Sequence, residues 1–195
     1  MSERETLNVY DDQAETYQKI MADWDDPAFA DFLAEMPRGG AVLDLGCGPG
    51  HAAARMADTG LHVIATDGSL EMIRLAAQHP GVSARQATFD EIDGQSIYDG
   101  IWASFSLLHA PRAKFPLHLA ALHRAAKPGA RLHLAMKLGR GEATDRLGRF
   151  YSYYSRDELE QYLQEAGFTV ASHRTGREKG LAGTLDEWIA IAAHA

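Results

Sequence analysis

The chain has 195 residues, of which 46% are hydrophobic and 24% are charged, a composition typical of one globular domain. No apolar run approaches the roughly 20 residues that a membrane-spanning helix needs, and the acidic N-terminus lacks the apolar core of a signal peptide. The single cysteine, Cys47, excludes an internal disulfide. These features predict a cytoplasmic protein with no membrane partner.

The net charge of −8 is unevenly distributed along the chain. Residues 1–40 hold 10 acidic and 3 basic side chains, whereas residues 112–156 hold 10 basic and 2 acidic ones. General binding to nucleic acid needs an extended positive surface, which an acidic chain with one basic segment does not provide. We therefore expect no nucleic-acid partner, and the basic segment marks a candidate anion site.

The predicted elements begin with two helices within residues 8–36, the second opened by Pro27. Apolar runs and helical patterns then alternate, which predicts a mostly parallel sheet with helices on both faces and a ligand site at the carboxyl ends of its strands. Ser69 and Ser155 are predicted N-caps, and Lys-Pro-Gly at 127–129 is a predicted turn. Predicted strands cover residues 41–45, 61–66, 82–87, 98–103, 131–136, 168–173 and 188–193, and predicted helices cover 52–57, 69–78, 112–126 and 155–165.

A glycine-rich turn follows the first predicted strand, where residues 42–50 are Val-Leu-Asp-Leu-Gly-Cys-Gly-Pro-Gly. Glycines permit positive φ and a close approach of ligand to backbone. The spacing departs from the Gly-x-Gly-x-x-Gly of dinucleotide-binding folds, and Pro49 has no amide to offer a phosphate. Asp44 repels phosphate but suits a cationic ligand. The pattern therefore disfavours a nicotinamide-dependent oxidoreductase.

An acidic residue, Asp67, ends the second predicted strand, 21 positions after Gly46. A carboxylate at that place suits the two hydroxyls of an adenosine ribose. The alternative is that Asp67 caps the helix that begins near Ser69.

Taken together, these segments resemble the class I S-adenosylmethionine-dependent methyltransferases, in their small-molecule branch. The resemblance covers about residues 40–170 and implies a Rossmann-like α/β fold with a seven-stranded, mostly parallel sheet of order 3-2-1-4-5-7-6. It further implies a single domain, 1–195, with an N-terminal helical lid (1–38) and a cofactor-binding core (39–195). The matching segments are residues 42–50, 64–69, 98–103, 107–109, 127–129 and 165–168.

The resemblance implies S-adenosyl-L-methionine as cofactor and S-adenosyl-L-homocysteine as product. Asp44 and the glycines would face the methionine part and Asp67 the ribose, while Cys47 would be structural. The acid that the family usually carries after the third strand is missing, so Thr88, or Asp90 through a shifted loop, would receive the adenine amino group. The implied cofactor-binding residues are Asp44, Gly46, Cys47, Gly48, Gly50, Asp67, Gly68, Ser69, Met72, Thr88, Phe89 and Ser104.

For the methyl acceptor, the candidate residues are Tyr10, Tyr17, His109, Lys137, Arg149 and Tyr151. His109 is the candidate catalytic base, with packing beneath the loop as the alternative. Arg149 and Lys137 are a candidate clamp for an acidic acceptor, on a loop made mobile by glycines, with a solvated loop as the alternative. No histidine spacing is typical of a metal site, so no metal is expected.

The aromatic side chains of the N-terminal segment, Tyr10, Tyr17 and Trp24, are candidate lid residues, with core packing as the alternative. Residues 104–107 are Ser-Phe-Ser-Leu, not the Asn/Asp-Pro-Pro-Tyr expected of a nucleic-acid amino methyltransferase. The predicted function is therefore direct, in-line methyl transfer to a small molecule. The alternative is a non-catalytic S-adenosylmethionine-binding or sensor protein of the same fold.

Overall fold

The computed structural model describes residues 3–21 and 26–195. Two helices precede the sheet, as predicted, although the first begins earlier than expected. In chain order the elements are α1 (Glu3–Ile20), α2 (Pro27–Ala34), β1 (Ala41–Leu45), α3 (His51–Asp58), β2 (His62–Asp67), α4 (Leu70–Ala76), β3 (Val82–Gln86), β4 (Tyr98–Ser104), α5 (Phe115–Ala125), β5 (Ala126–Lys137), β6 (Glu142–Thr144), β7 (Phe150–Ser152), α6 (Arg156–Glu165), β8 (Thr169–Lys179) and β9 (Leu185–His194).

Seven strands form one sheet in the order β3-β2-β1-β4-β5-β9-β8, and β6 and β7 form a separate two-stranded sheet. Strands β1 to β5 are parallel, whereas β9 runs antiparallel to both of its neighbours, β5 and β8. Counting only the strands of the large sheet, the order is 3-2-1-4-5-7-6. The predicted fold is confirmed.

Helices cover both faces of the sheet because alternate residues of a strand point to opposite sides. On one face, Val42 of β1 packs in a buried cluster with Phe29 of α2 and Met56 of α3. On the other face, Leu43 of β1 packs in a second cluster with Leu122 of α5. The sheet is thus held between two apolar cores, and its strand ends are left to form the site.

The segment after β5 differs from the prediction of a mobile loop. Its residues form a β-hairpin in which Glu142 pairs with Ser152 and Thr144 pairs with Phe150. The turn of the hairpin closes with the Gly148 amide donating to the Asp145 carbonyl at 3.0 Å. Of the basic residues of this segment, Arg149 in the hairpin is buried, whereas Arg140 and Arg146 are exposed.

Several boundaries also differ from the predictions. Strand β5 begins at Ala126, across the expected turn, and a shift in its register with β4 accommodates the extra residues. Helix α5 begins at Phe115, because residues 111–114 form a turn in which the Lys114 amide donates to the Pro111 carbonyl at 2.9 Å. Strands β8 and β9 extend beyond the predicted segments towards each other, and so make a long hairpin.

Both predicted serine caps are present. The Ser69 hydroxyl accepts from the Met72 amide at the start of α4. At the start of α6, the Ser155 hydroxyl accepts from the Glu158 amide, and the Glu158 carboxylate accepts from the Ser155 amide, which is a complete capping box.

We expect Ser155→Ala to lower the free energy of unfolding by about 1 kcal/mol, because the Glu158 amide loses its acceptor. Ser155→Thr keeps the hydroxyl and is expected to lose less than half as much. Urea unfolding followed by circular dichroism measures both changes. Equal losses in the two variants would contradict the cap as the cause.

Candidate functional site

Two adjoining cavities lie at the carboxyl ends of the parallel strands, beneath α1. One, here the β2-side cavity, reaches Asp67 and Phe89; the other, the β5-side cavity, reaches Lys137 and Trp188. The residues that line both are Tyr10, Tyr17, Gly46, Gly48, Ser104, Phe105 and His109. The two cavities therefore meet at the glycine turn and the residues that follow β4.

The glycine turn fits its place only without side chains. Gly46 and Gly48 have φ of 69° and 53°, and a Cβ on Gly46 would lie 2.3 Å from the Cβ of Ser106. The amides of Gly46 and Cys47 donate to the Thr66 carbonyl at 2.7 and 2.9 Å, which ties the turn to β2. The turn thus presents backbone to both cavities, as predicted from the sequence.

At the end of β2, Asp67 braces the glycine turn. One carboxylate oxygen accepts from the Gly48 amide at 3.0 Å, and the other accepts from the Ser69 amide at 2.8 Å. Burial raises the pKa of Asp67, and these two hydrogen bonds offset part of the effect. Asp67 also lines the β2-side cavity. Ser69 and not Asp67 is therefore the N-cap of α4, and the bracing contacts of Asp67 are compatible with a role in ligand binding.

Asp44 is the least compensated charge of the site. It is 2% exposed, and its buried Oδ2 has no hydrogen-bond partner among residues 3–21 and 26–195. Burial, and then the nearby charge of Asp67, raise its pKa to about 7, against a backbone hydrogen bond from Ala53 that lowers it. Asp44 lines the β5-side cavity. A buried carboxylate oxygen without a donor suits a positively charged ligand group.

The other residues predicted near the adenine have different environments. Met72 and Phe89 line the β2-side cavity. Ser69 does not line it, because it is fully buried and its hydroxyl donates to Asp11 of α1 at 2.5 Å. Gly68, which does line it, lies against Leu7 of α1. Ser69 thus anchors α1 rather than contacting the cavity.

Thr88 and Asp90, the two candidates to replace the missing acid, have different positions relative to the cavities. Thr88 lines the β2-side cavity, with its amide and hydroxyl both donating to the Glu91 carboxylate at 2.8 and 2.9 Å. Asp90 is not among the lining residues of either cavity and pairs with Lys114 at 2.6 Å. Thr88 is therefore the better placed of the two.

Gly50 and Cys47 of the glycine turn have structural roles. Gly50 has φ of 85°, and a Cβ there would lie 2.8 Å from the Cα of Ala76. Gly50 is buried and precedes α3, so its requirement for glycine comes from packing against α4. Burial raises the pKa of the Cys47 thiol well above its ordinary value, so Cys47 remains a neutral thiol at the edge of the β5-side cavity.

His109 joins helix α1 to the β6–β7 hairpin. Its Nε2 lies 2.7 Å from the Tyr10 hydroxyl of α1, and its Nδ1 lies 2.7 Å from the Phe150 carbonyl. Burial lowers the pKa of His109 to about 4; the hydrogen bond with Phe150 opposes that shift, and the charges of Arg149 and Lys137 add to it. His109 is therefore neutral at pH 7.

Both cations of the expected clamp face the β5-side cavity, and each already has a carboxylate partner. Lys137 pairs with Asp186 at 2.6 Å and lies 4.1 Å above the ring of Tyr151. Arg149 pairs with Asp145 at 2.7 Å, and the two side chains are only 3% and 11% exposed. The alternative of a solvated loop is therefore wrong for these two cations, and the charge of each is balanced by its own carboxylate.

Some lining residues were not found by sequence reasoning. Thr6 and Leu7 of α1 line the β2-side cavity, and Asp186 and Trp188 of β9 line the β5-side cavity. Trp188 is the first residue of the last predicted strand. A tryptophan at the end of a strand was the feature of the sequence that could have indicated a cavity-lining residue. Trp24, a predicted lid residue, lies outside the described residues.

Within residues 3–21 and 26–195, no group of three or more His, Cys, Asp or Glu side chains is arranged to hold a metal ion. In the same part of the chain, no helix combines the length and the apolar character needed to span a bilayer.

Comparison with known proteins gives one family. Residues 17–173 match the family model described as "Methyltransferase domain". The chain is 31% identical over 172 residues to the methyltransferase GfsG of Streptomyces halstedii, covering 73% of this chain and 61% of that protein. It is 37% identical over 112 residues to the ubiquinone biosynthesis O-methyltransferase of Hahella chejuensis, covering 53% and 45%.

The alignments cover between 37% and 61% of the length of the curated relatives. Among solved structures, the chain resembles the 1,6-didemethyltoxoflavin-N1-methyltransferase of Burkholderia thailandensis, with a TM-score of 0.75 and 23% identity over 100% of this chain and 90% of that one. That enzyme was solved with 1,6-didemethyltoxoflavin and S-adenosylhomocysteine bound. At this identity the likeness concerns the fold.

The raised pKa of Asp44 predicts a pH dependence of stability. Between its ordinary value of 3.8 and about 7, the folded chain holds a proton that the unfolded chain has released, so the free energy of unfolding falls as pH rises through this range. Asp44→Asn removes that contribution, and we expect the fall to be smaller by on the order of 2–4 kcal/mol. Urea unfolding at pH 4.5 to 8 without ligand measures it.

Asp99 provides a matched control of opposite sign. Burial opposes its ionisation, but hydrogen bonds from Lys127 and the Ala41 amide outweigh burial and lower its pKa. Asp99 therefore stabilises the fold above its ordinary pKa, so Asp99→Asn is expected to reduce stability at pH 7. A fall in stability at pH 7 for Asp44→Asn as large as for Asp99→Asn would contradict the assignment.

Proposed function

Because the chain belongs to the class I S-adenosylmethionine-dependent methyltransferase family, we propose that it transfers a methyl group from S-adenosylmethionine to a small molecule. The observation that carries this proposal is the unpaired Oδ2 of Asp44, buried beside the glycine turn. The cofactor is cationic at its amino group and its sulfur. A phosphate-bearing dinucleotide would instead place negative charge against this carboxylate.

The residues present fit the cofactor. Asp44 and the glycine turn would hold its methionine part, and Asp67 would receive the ribose hydroxyls. Met72 and Phe89 provide apolar walls for the adenine, and Thr88 stands where the adenine amino group would be received. Ser104 lines both cavities and would border the cofactor where they meet.

When bound, S-adenosylmethionine supplies a methyl group carried on a positively charged sulfur. The chain's contribution is to hold the acceptor in line with that methyl group and to exclude water. Helix α1 excludes water by covering the site, since Thr6 accepts from the Phe150 amide at 2.9 Å and Asp11 accepts from Ser69. These contacts fasten the helix over both cavities.

For the acceptor we propose a small molecule in the β5-side cavity, with a ring that packs against the aromatic side chains of Phe105, Tyr151 and Trp188. The ion pairs of Lys137 and Arg149 reduce the reason to expect an acidic group on it. An acidic acceptor would have to compete with Asp186 and Asp145 for these two cations.

Isothermal titration tests the cofactor. We expect S-adenosylmethionine and S-adenosylhomocysteine to bind with micromolar affinity and NADH not to bind. Incubation with labelled S-adenosylmethionine and a metabolite extract, followed by mass spectrometry, then separates an enzyme from a sensor. Binding without any methylated product would favour the sensor, and tight binding of NADH alone would refute both.

Asp67→Ala is expected to weaken binding of S-adenosylhomocysteine by about ten- to a hundred-fold, because a charged acceptor of hydrogen bonds is lost. The exposed Asp93, which pairs with Arg85, is the matched control, and Asp93→Ala is expected to leave the affinity unchanged. Melting temperatures must be compared, since Asp67 also braces Gly48. Equal affinities of parent and Asp67→Ala would mean that Asp67 only braces the glycine turn.

A further inference from the structure

Four side chains and one carbonyl form a chain of hydrogen bonds between the lid helix and the β6–β7 hairpin. Asp145 binds two nitrogens of Arg149, at 2.7 and 3.0 Å. Arg149 Nη1 lies 3.1 Å from the Tyr10 hydroxyl, which lies 2.7 Å from His109 Nε2, and His109 Nδ1 lies 2.7 Å from the Phe150 carbonyl. Only Asp145 and Arg149 are close in sequence, and the other bonds join residues far apart in the chain.

The direction of every bond in this chain is determined. A carbonyl only accepts, so His109 Nδ1 carries the hydrogen and donates to Phe150. A neutral imidazole has one such hydrogen, so His109 Nε2 accepts the hydroxyl hydrogen of Tyr10. Arginine only donates, so the Tyr10 oxygen accepts from Arg149.

The Tyr10 oxygen accepts from Arg149 and keeps its second lone pair for a further donor. Burial raises the pKa of Tyr10, whereas Arg149 and the side chain of Tyr151 lower it. Tyr10 and His109 line both cavities, so this oxygen stands where the cofactor side and the acceptor side meet. A hydroxyl group entering from the β5-side cavity would donate its hydrogen to this second lone pair.

We infer that Tyr10 is a catalytic residue that takes the proton of a hydroxyl group on the methyl acceptor while its own proton passes to His109, which makes the reaction an O-methylation. The acceptor class is an alcohol or phenol. This inference rests on the proposed methyltransferase function and names the substrate class of the same site.

Atoms and charges balance in this step. The acceptor oxygen forms a bond to the methyl carbon as the methyl–sulfur bond breaks and its electron pair stays on sulfur. The hydroxyl proton moves to the Tyr10 oxygen, and the Tyr10 proton moves to His109 Nε2. The imidazolium later loses its proton to solvent, because burial keeps the pKa of His109 near 4.

A base this weak suits a hydroxyl and not an amine. A methylated hydroxyl that still holds its proton is a far stronger acid than imidazolium, so the proton moves to His109 readily. A methylated amine holds its proton much more tightly, with a pKa near that of lysine, about 10. The relay would not deprotonate it.

Turnover of two matched probes, benzyl alcohol and benzylamine, tests the inference, with methylated product and S-adenosylhomocysteine measured by mass spectrometry. We expect methylation of benzyl alcohol only. Tyr10→Phe and His109→Gln are each expected to lower kcat about 100-fold, with the affinity for S-adenosylhomocysteine unchanged. The double variant should lose no more than either single one, because both act on one proton path.

Tyr162→Phe is the matched control, since Tyr162 lies on α6 against Phe115 and Tyr154, away from both cavities. It is expected to keep full activity. Methylation of benzylamine, turnover of neither probe, or an unchanged kcat in Tyr10→Phe overturns the inference. Failure of S-adenosylhomocysteine to bind the parent chain would instead overturn the proposed function.

Nuclear magnetic resonance of ¹⁵N-histidine-labelled protein tests the hydrogen-bond directions without any acceptor. The signals of His109 are those absent from His109→Gln. We expect a neutral ring with the hydrogen on Nδ1 at pH 7, and a shift of the Nε2 signal in Tyr10→Phe. A ring with its hydrogen on Nε2, or a protonated ring at pH 7, overturns the inference.

Discussion

The buried carboxylate of Asp44 and the half-buried carboxylate of Asp67, at the ends of adjacent strands, are the constraint on which the site depends. Asp67 is compensated by backbone amides of Gly48 and Ser69, and its charge in turn raises the pKa of Asp44. Burying a second carboxylate in a region of low dielectric constant costs free energy unless the carboxylate is protonated or paired. The folded chain therefore holds a position that a cation completes. The glycines follow from the same requirement, because the ligand must come close to the backbone between these two acids.

Helix α1 closes the site through a few separate polar contacts. Thr6 bonds to the hairpin, Tyr10 bonds to His109, and Asp11 bonds to the start of α4. Each such hydrogen bond contributes on the order of 1 kcal/mol net, so their sum is small compared with the stability of the two apolar cores.

The sequence predicts those parts of the structure that depend on local chemistry. The parallel sheet follows from the alternation of strands and helices, and the caps at Ser69 and Ser155 follow from short-range hydrogen bonding. The glycine turn and Asp67 were found because three glycines after a buried strand, with an acid after the next strand, form a pattern that packing alone seldom requires.

Long-range pairings were beyond sequence reasoning. Tyr10 and His109 are 99 residues apart, and Lys137 and Asp186 are 49 apart, so no local pattern joins them. The charge count along the chain showed the cations of the basic segment but not the carboxylates that meet them in space. For the same reason the sequence predicts a mobile loop where β6 and β7 form a hairpin. Its strands have three residues each, too few for a periodic pattern.

The β6–β7 and β8–β9 hairpins beside β5 line a different part of the site from the strand ends and the glycine turn. Contacts expected for the cofactor come from the strand ends and the glycine turn, which the sheet holds in register. Much of the acceptor-facing wall comes instead from residues 137–151 and 178–188, and Arg146 joins the two segments through the Ala182 carbonyl. Exchanging these hairpins as a unit would change what enters the β5-side cavity and leave the buried carboxylates untouched. The fold is thus arranged so that new acceptors can be acquired without rebuilding the part that handles the methyl donor.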